Sequence, residues 1–395
     1  MREKDFPILD TGVVYFDNGA TTLKPNEVIE NIENYYRKYS ANIHRGEYYM
    51  SFKASDEYEY TREIVKDFIN ANSKEEIVFT SGTTEGLNLV VNGFFERILK
   101  KGDEVLLTKS EHASNIMPWQ MLAMRRGIVL KYIPLDEDYK INIYTLKKMI
   151  NKNTKVISIA GVTNVIGDVR DIKSISKIAR NNKIYTLIDG AQMVPHMKVD
   201  VKYLDIDFLV FSGHKMCGPT GVGVLYGKYD LLNKIMPQKV GGGMNESYKE
   251  GSIYFKKVPE RLEAGTPNIA GVIGLKSAIL YLEKIGMDNI EKYEKDLRKY
   301  LVNELNKIPY VQIYNETSES GIVIINVNFK NTSDLALYLN KHNICVRAGN
   351  HCTKMLKDEM GIDNTVRISL YFYNTKNDVD HLINVLKDKE AILSF

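Results

Sequence analysis

Short apolar runs that break off into small polar residues recur along this chain. The run Phe208-Leu209-Val210-Phe211 ends in Ser212-Gly213-His214-Lys215 and a glycine-rich turn. Residues 76–80 run into Ser81-Gly82-Thr83-Thr84-Glu85-Gly86, and 104–108 lead to Glu111-His112-Ala113-Ser114. Residues 156–160 precede Val162-Thr163-Asn164, and 184–188 precede Asp189-Gly190-Ala191-Gln192. Apolar runs of this length bounded by turn residues read as buried strands. Helical periodicity lies around and between them, at 25–39, 51–69, 87–95 and 172–181, with a further strand at 129–133. Strands alternating with helices predict an α/β fold around a mostly parallel sheet. The last third (helices 269–285, 288–305 and 332–342, strands 311–314, 322–327 and 365–370) predicts a smaller α+β domain. The expected division is 17–268 for the large domain, with 1–16 and 269–395 in the small one.

The polar residues share one position. Thr83, Thr84, His112, Asn164, Asp189, Gln192, Ser212, His214 and Lys215 all follow the ends of predicted strands. In parallel sheets that edge binds ligands. Singly each has a plain explanation: Asn164 a turn, Asp189 a cap, His112 a packed surface histidine. The Thr83-Thr84 turn, between strand and helix, suits a phosphate held on free N–H groups, and equally a capped helix start. It is neither a Walker sequence nor a dinucleotide fingerprint. A lysine desolvated past a buried strand has a lowered pKa and can form a Schiff base with an aldehyde.

Composition narrows the classes. At 395 residues the chain can bury a large core, and a net charge of +3 gives no sign of nucleic acid or a membrane surface as partner. No apolar stretch approaches a membrane span, and the start MREKDFPILD has no apolar signal region. The three cysteines, Cys217, Cys345 and Cys352, cannot all pair and lack zinc-site spacing, so no metal is expected. A reducing, cytoplasmic compartment fits them.

A lysine imine, a carboxylate and a hydroxyl-rich phosphate turn together suggest pyridoxal 5'-phosphate. Lys215 would meet the aldehyde, and Asp189 would keep the ring nitrogen protonated so that the ring accepts electrons. His112 is available to stack, and Arg367 or Arg347 could pair with an amino-acid carboxylate.

The motifs FDNGATT, SGTTEGLNLVVNGF, EHASNIMPWQ, TNVIG, DGAQ, SGHKMCGPTGVGVLYGK, EAGTPN, RAGNHCT and VRISLYFYNT stand in order over nearly the whole chain. With them it resembles class V, fold type I pyridoxal-phosphate enzymes, and among those the group II, SufS/CsdA-type cysteine desulfurases. The resemblance implies a large domain with a seven-stranded sheet and a small domain carrying a nucleophilic cysteine loop. It implies Lys215 as the Schiff-base lysine and proton shuttle, Asp189 on the pyridine nitrogen and His112 on the ring. Asn164 and Gln192 would lie near the ring hydroxyl, with Thr83, Thr84, Ser212 and His214 around the phosphate. Thr266 would reach a phosphate across a homodimer interface. Arg367 would take the substrate carboxylate, with Arg347 and His44 (in Asn42-Ile43-His44-Arg45-Gly46) in the same pocket. Cys352 would attack the sulfur of L-cysteine, leaving alanine and an enzyme persulfide. The sulfur would pass to a SufE- or SufU-like acceptor, or to a scaffold for iron-sulfur cluster assembly. Asn350 and Thr353 depart from the usual histidine and alanine, Cys217 from an aromatic residue, and Met244 from an acidic one. Selenocysteine lyase, an aminotransferase or kynureninase-like enzyme, and a non-catalytic sulfur-assembly scaffold remain open as alternatives.

Overall fold

The structure is a computed structural model, and it describes residues 3–44 and 46–395. Arg45, in the segment 42–46 that carries His44, lies outside the described residues, as do the first two residues.

A short arm strand, β1 (Val14–Tyr15), precedes two helices, Asn26–Lys38 and Tyr49–Phe68. Seven strands follow: β2 (Ile77–Thr80), β3 (Glu104–Leu107), β4 (Val129–Tyr132), β5 (Thr154–Ala160), β6 (Tyr185–Asp189), β7 (Phe208–Ser212) and β8 (Gly223–Gly227). They form one sheet in the order β2-β8-β7-β6-β5-β3-β4. Every neighbouring pair from β7 to β4 is parallel, and β8 alone is reversed, antiparallel to both β7 and β2. This is the α/β architecture that the alternating pattern predicts. The central strands are buried on both faces, which is why they read as unbroken apolar runs.

Some elements differ from expectation. The helix expected at 87–95 begins at Thr83, inside the expected turn, and passes into a π-helical turn at Val91–Phe95. β8 is not among the strands expected from the sequence, because its glycines break the apolar run. A Cβ on Gly223 would lie 2.5 Å from the Gly82 Cα and 2.6 Å from the Phe211 carbonyl oxygen, so the packing of β8 requires glycine there. The glycine run 241–243 leads into a solvent-facing hairpin of β9 (Asn245–Lys249) and β10 (Ser252–Phe255), whose residues lack an apolar alternation.

The second sheet is antiparallel, ordered β11 (Val311–Ile313), β12 (Ile322–Val327), β15 (Thr365–Ser369), β14 (Arg347–Gly349). β13 (Ile344–Cys345) pairs in parallel with β1, so the N-terminal arm joins this smaller unit. The helix Ile269–Ile285, expected to open the small domain, buries Val272, Ile273, Leu275, Ile279 and Leu282 in the core beneath the large sheet. Each fully buried aliphatic side chain contributes about 1.5–3 kcal/mol, which ties this helix to the large unit. The second core gathers Phe16 of the N-terminal arm with residues beyond this helix, Leu297 and Leu301 among them. Among the described residues no helix is long and apolar enough to cross a membrane.

Candidate active site

The carboxyl ends of β2, β3, β5, β6 and β7 open on one cavity of about 310 Å³, closed from the other side by β14, β15 and the loop between them. Its lining includes Thr83, Thr84, His112, Asn164, Asp189, Gln192, Ser212, His214 and Lys215 from the large unit, with Arg347, Cys352 and Arg367 from the small one.

Lys215 ends a 3-10 turn, Gly213–Lys215, directly after β7. The turn is pinned through the His214 carbonyl, which accepts from Thr22 N at 2.9 Å, Thr21 Oγ1 at 3.0 Å and Thr22 Oγ1 at 3.1 Å. Desolvation of its amine, with Arg367 and Arg347 nearby, lowers the Lys215 pKa to about 8 against the pull of Asp189. Asp189 closes β6 and is buried, and its Oδ1 accepts from Ala191 N at 2.9 Å. Burial raises its carboxyl to about 6, so a cationic donor in the cavity would stabilise the ionised form.

His112 caps the short turn after β3. Ser114 N donates to its Nδ1 at 3.2 Å, which leaves the neutral ring's proton on Nε2. Burial first, then the charges of Lys215 and Arg367, lower its pKa to about 4. His214 is lowered to about 4 by burial, Lys215 and Lys24. Both rings are neutral near pH 7. The segment holding His112 is anchored by a buried network: Arg170 donates to Glu111 at 2.5 Å and to Asp168 at 3.2 Å, while Ala160 N donates to Glu111 at 2.7 Å. On the other flank Ser212 Oγ accepts from Thr83 N at 2.8 Å and bonds Thr83 Oγ1 at 2.7 Å, while Thr84 Oγ1 bonds Ser114 Oγ at 2.8 Å. Gln192 donates to the Gly19 carbonyl at 2.8 Å.

Cys352 is exposed at the cavity rim, between β14 and a helix at Lys354–Met360. The loop is bonded on every side. Asn350 Oδ1 accepts from Cys352 N at 3.0 Å, Ala113 N donates to the Cys352 carbonyl at 2.9 Å, and Asn164 Nδ2 donates to the His351 carbonyl at 2.8 Å. Thr353 is buried and donates between Asn164 Oδ1 at 3.3 Å and the His351 carbonyl at 3.2 Å. Asn350 and Thr353, departures at the sequence level, are both built into the loop's hydrogen bonding. Cys217 is buried, and burial raises its thiol to about 12. Met244 is buried and packs within the hairpin region.

Two expected residues stand elsewhere in the chain. Thr266 and His44 are exposed and line a separate cavity of about 360 Å³, where Asn42 Nδ2 donates to Thr266 Oγ1 at 3.3 Å and His44 lies 3.6 Å from Glu59. Conversely, sequence reasoning passed over Asp17, which lies on both arginines, and His351, which lines the main cavity. Asp17 stands inside the FDNGATT motif, so that motif was the available signal; its partner arginines are over 300 residues away.

An α/β sheet edge with a low-pKa lysine, a buried carboxylate and a neutral histidine defines a site for a carbonyl-bearing cofactor. The aminotransferase class-V family model matches residues 14–382, and the chain belongs to that family. It is 44% identical over 394 residues to a probable cysteine desulfurase of Halalkalibacterium halodurans, covering 98% of this chain and 97% of the relative. Among solved structures it is similar to the apo cysteine desulfurase of Thermococcus onnurineus, with TM-score 0.95, 40% identity, and 100% and 98% of the two chains covered. It is also similar to the Escherichia coli cysteine desulfurase CsdA, solved as its S-sulfonic acid, with TM-score 0.93, 34% identity, and 99% and 97% covered.

Proposed function

We propose that this chain is a pyridoxal-phosphate-dependent cysteine desulfurase. The carrying observation is that Cys352, on the small unit, stands at the rim of the cavity that holds Lys215 and Asp189. The residues present suit the cofactor: an amine of lowered pKa, a buried carboxylate that burial raises to about 6, and a hydroxyl-lined flank. Lys215 would hold it covalently, Asp189 would pair with its ring nitrogen and His112 would lie on its ring. Asn164 and Gln192 would face the ring hydroxyl, and Thr83, Thr84, Ser212 and His214 the phosphate side. When bound, the cofactor supplies an electron sink for the substrate's α-carbon.

This chain's own residues do the rest. Arg367 binds the α-carboxylate through guanidinium donors that Asn164 and Asp17 leave open. Lys215 moves the proton at the substrate's α-carbon once its amine is released. Cys352 Sγ, as thiolate, attacks the substrate sulfur. An S–S bond forms and the Cβ–S bond breaks with its electron pair left on Cβ, which takes a proton. Thiol plus L-cysteine becomes persulfide plus L-alanine.

The placement of His44 and Thr266 outside the cavity supports a homodimer in which a second copy completes the site. The exposed, unpaired Cys352 suits hand-over of sulfur, in the reducing cytoplasm, to a SufE- or SufU-like acceptor or a cluster scaffold for iron-sulfur assembly.

The test is a turnover assay with L-cysteine that quantifies alanine, sulfide and enzyme-bound persulfide. Equal alanine and sulfane sulfur, with both lost in Cys352→Ala, is expected. Unchanged cysteine turnover in Cys352→Ala would remove Cys352 as nucleophile, and a colourless preparation that binds no cofactor would point to a scaffold.

A further inference from the structure

Arg347 and Arg367 face each other across β14 and β15, directly opposite in register. Like charges so placed repel. Asp17 resolves the conflict from a third direction. Its backbone bridges Ser369, two residues beyond Arg367, and its carbonyl accepts from Ala20 N at 3.0 Å. Its carboxylate accepts from Arg347 Nε at 3.1 Å to each oxygen, from Arg347 Nη2 at 2.9 Å, and from Arg367 Nη2 at 3.3 Å.

The sharing is unequal. Arg347 commits its whole Nε–Nη2 edge to Asp17, the planar fork that best satisfies a carboxylate. Arg367 gives Asp17 a single longer bond and Asn164's carbonyl another at 3.0 Å; its Nε has no partner among the described residues. Gly19 lies against this guanidinium so closely that a Cβ there would come within 2.9 Å of Cζ. Asp17 therefore neutralises Arg347 and leaves one guanidinium charge, that of Arg367, facing the cavity beside Lys215.

We propose that Asp17 is a specificity-determining residue: by cancelling one of two cavity arginines it matches the site to an amino acid with one carboxylate, against amino acids whose side chain adds a second negative charge. This rests on the assignment of Arg367 to the substrate carboxylate.

Inhibition of the holoenzyme reads it directly. L-Alanine and L-aspartate share the α-amino acid head, and only L-aspartate adds a side-chain charge. Their competitive inhibition constants against L-cysteine give a ratio that general damage to the site leaves unmoved. In Asp17→Asn, L-aspartate inhibition tightens roughly tenfold relative to L-alanine, about 1.4 kcal/mol. Asp17→Glu, which retains the charge, keeps the wild-type ratio, and the double variant D17N/R347Q returns towards it. Should D17N fail to fold, Arg347→Gln alone shifts the ratio the opposite way, against L-aspartate. A D17N ratio within about twofold of wild type, under 0.5 kcal/mol, overturns the proposal, as does a double variant that stays shifted or an unmoved ratio in Arg347→Gln. Arg367→Lys separates the two claims. If it raises the L-cysteine KM while the D17N ratio stays put, only the role of Asp17 falls. If it leaves KM unchanged, the carboxylate assignment falls.

Discussion

Asn164 Nδ2 donates to the His351 carbonyl at 2.8 Å, and its Oδ1 accepts from Thr353 Oγ1 at 3.3 Å, so one asparagine after β5 holds both neighbours of Cys352. The restraint matters because His351 and Cys352 both adopt left-handed backbone, with φ of 55° and 58°. Such conformations cost about 1–3 kcal/mol each for residues with a Cβ, and persist when surrounding contacts over-determine them. Asn164→Ala is expected to lower kcat for alanine formation by about tenfold, ~1.4 kcal/mol in the barrier, with a smaller change in KM. Thr353→Ser keeps the hydroxyl and retains activity, whereas Thr353→Val loses part of it. Steady-state kinetics, with the rate of Cys352 alkylation in the cofactor-free protein, check both.

The Lys215 amine adds to an aldehyde only when unprotonated. Its pKa of about 8 lies below the usual lysine value, because burial and two arginines disfavour the charge. The rate at which cofactor-free protein takes up pyridoxal phosphate should rise with pH and level off above about 8. At pH 7 roughly a tenth of the amine is neutral, against far less than a hundredth for an ordinary lysine at about 10.4. Stopped-flow absorbance across pH 6–10 measures this, about four units spanning the expected midpoint. A midpoint near the ordinary lysine value would contradict the buried placement.

Arg170 is buried with Glu111 and Asp168 and also donates to Thr108 Oγ1 at 3.0 Å and Ser110 Oγ at 2.7 Å. Removing one member of a buried pair strands the other charge, at a cost of about 3–5 kcal/mol. Arg170→Ala should lose about that much stability by denaturant unfolding, and weaken cofactor retention, because the network anchors the segment bearing His112. Loss of cofactor without loss of stability would contradict it.

Lys357 is fully buried, and its Nζ donates to Thr365 Oγ1 at 2.7 Å. Burial, with Arg367 nearby, lowers its pKa to about 7. The folded pKa lies below the unfolded one, so between about pH 7 and 10.4 the unfolded chain holds more protons at this residue and stability rises with pH. Below about pH 7 the penalty of a buried charge is fully present; above the unfolded value, about 10.4, it is gone. Lys357→Met should remove that slope and stabilise the protein at neutral pH by about 1–4 kcal/mol, the range for apolar replacement of buried ionic groups. Chemical denaturation at pH 7 and pH 10, about three units apart, compares the two.

The large sheet was legible because its strands are buried on both faces, and burial writes continuous apolar runs into a sequence. β8 and the β9–β10 hairpin were not, since one is spaced by glycines at close backbone contacts and the other faces solvent. The helix Ile269–Ile285 is legible to the residue, and the core that its apolar face joins is not. Apolar periodicity marks a face to be buried and does not say against which core.

The chain's order of motifs by itself determined the fold class and the chemistry on offer: a carboxylate at the end of one buried strand, a lysine past the strand that follows it, a cysteine in a loop. Only the tertiary structure decided which of these meet. It brought Cys352 to the Lys215 cavity, set His44 and Thr266 in another, and placed Asp17 on Arg347 and Arg367. Strand-end residues are collected by a periodic local pattern. A charge pair joined across more than 300 residues leaves no local trace, because its energy depends on where two sheets bring the backbone.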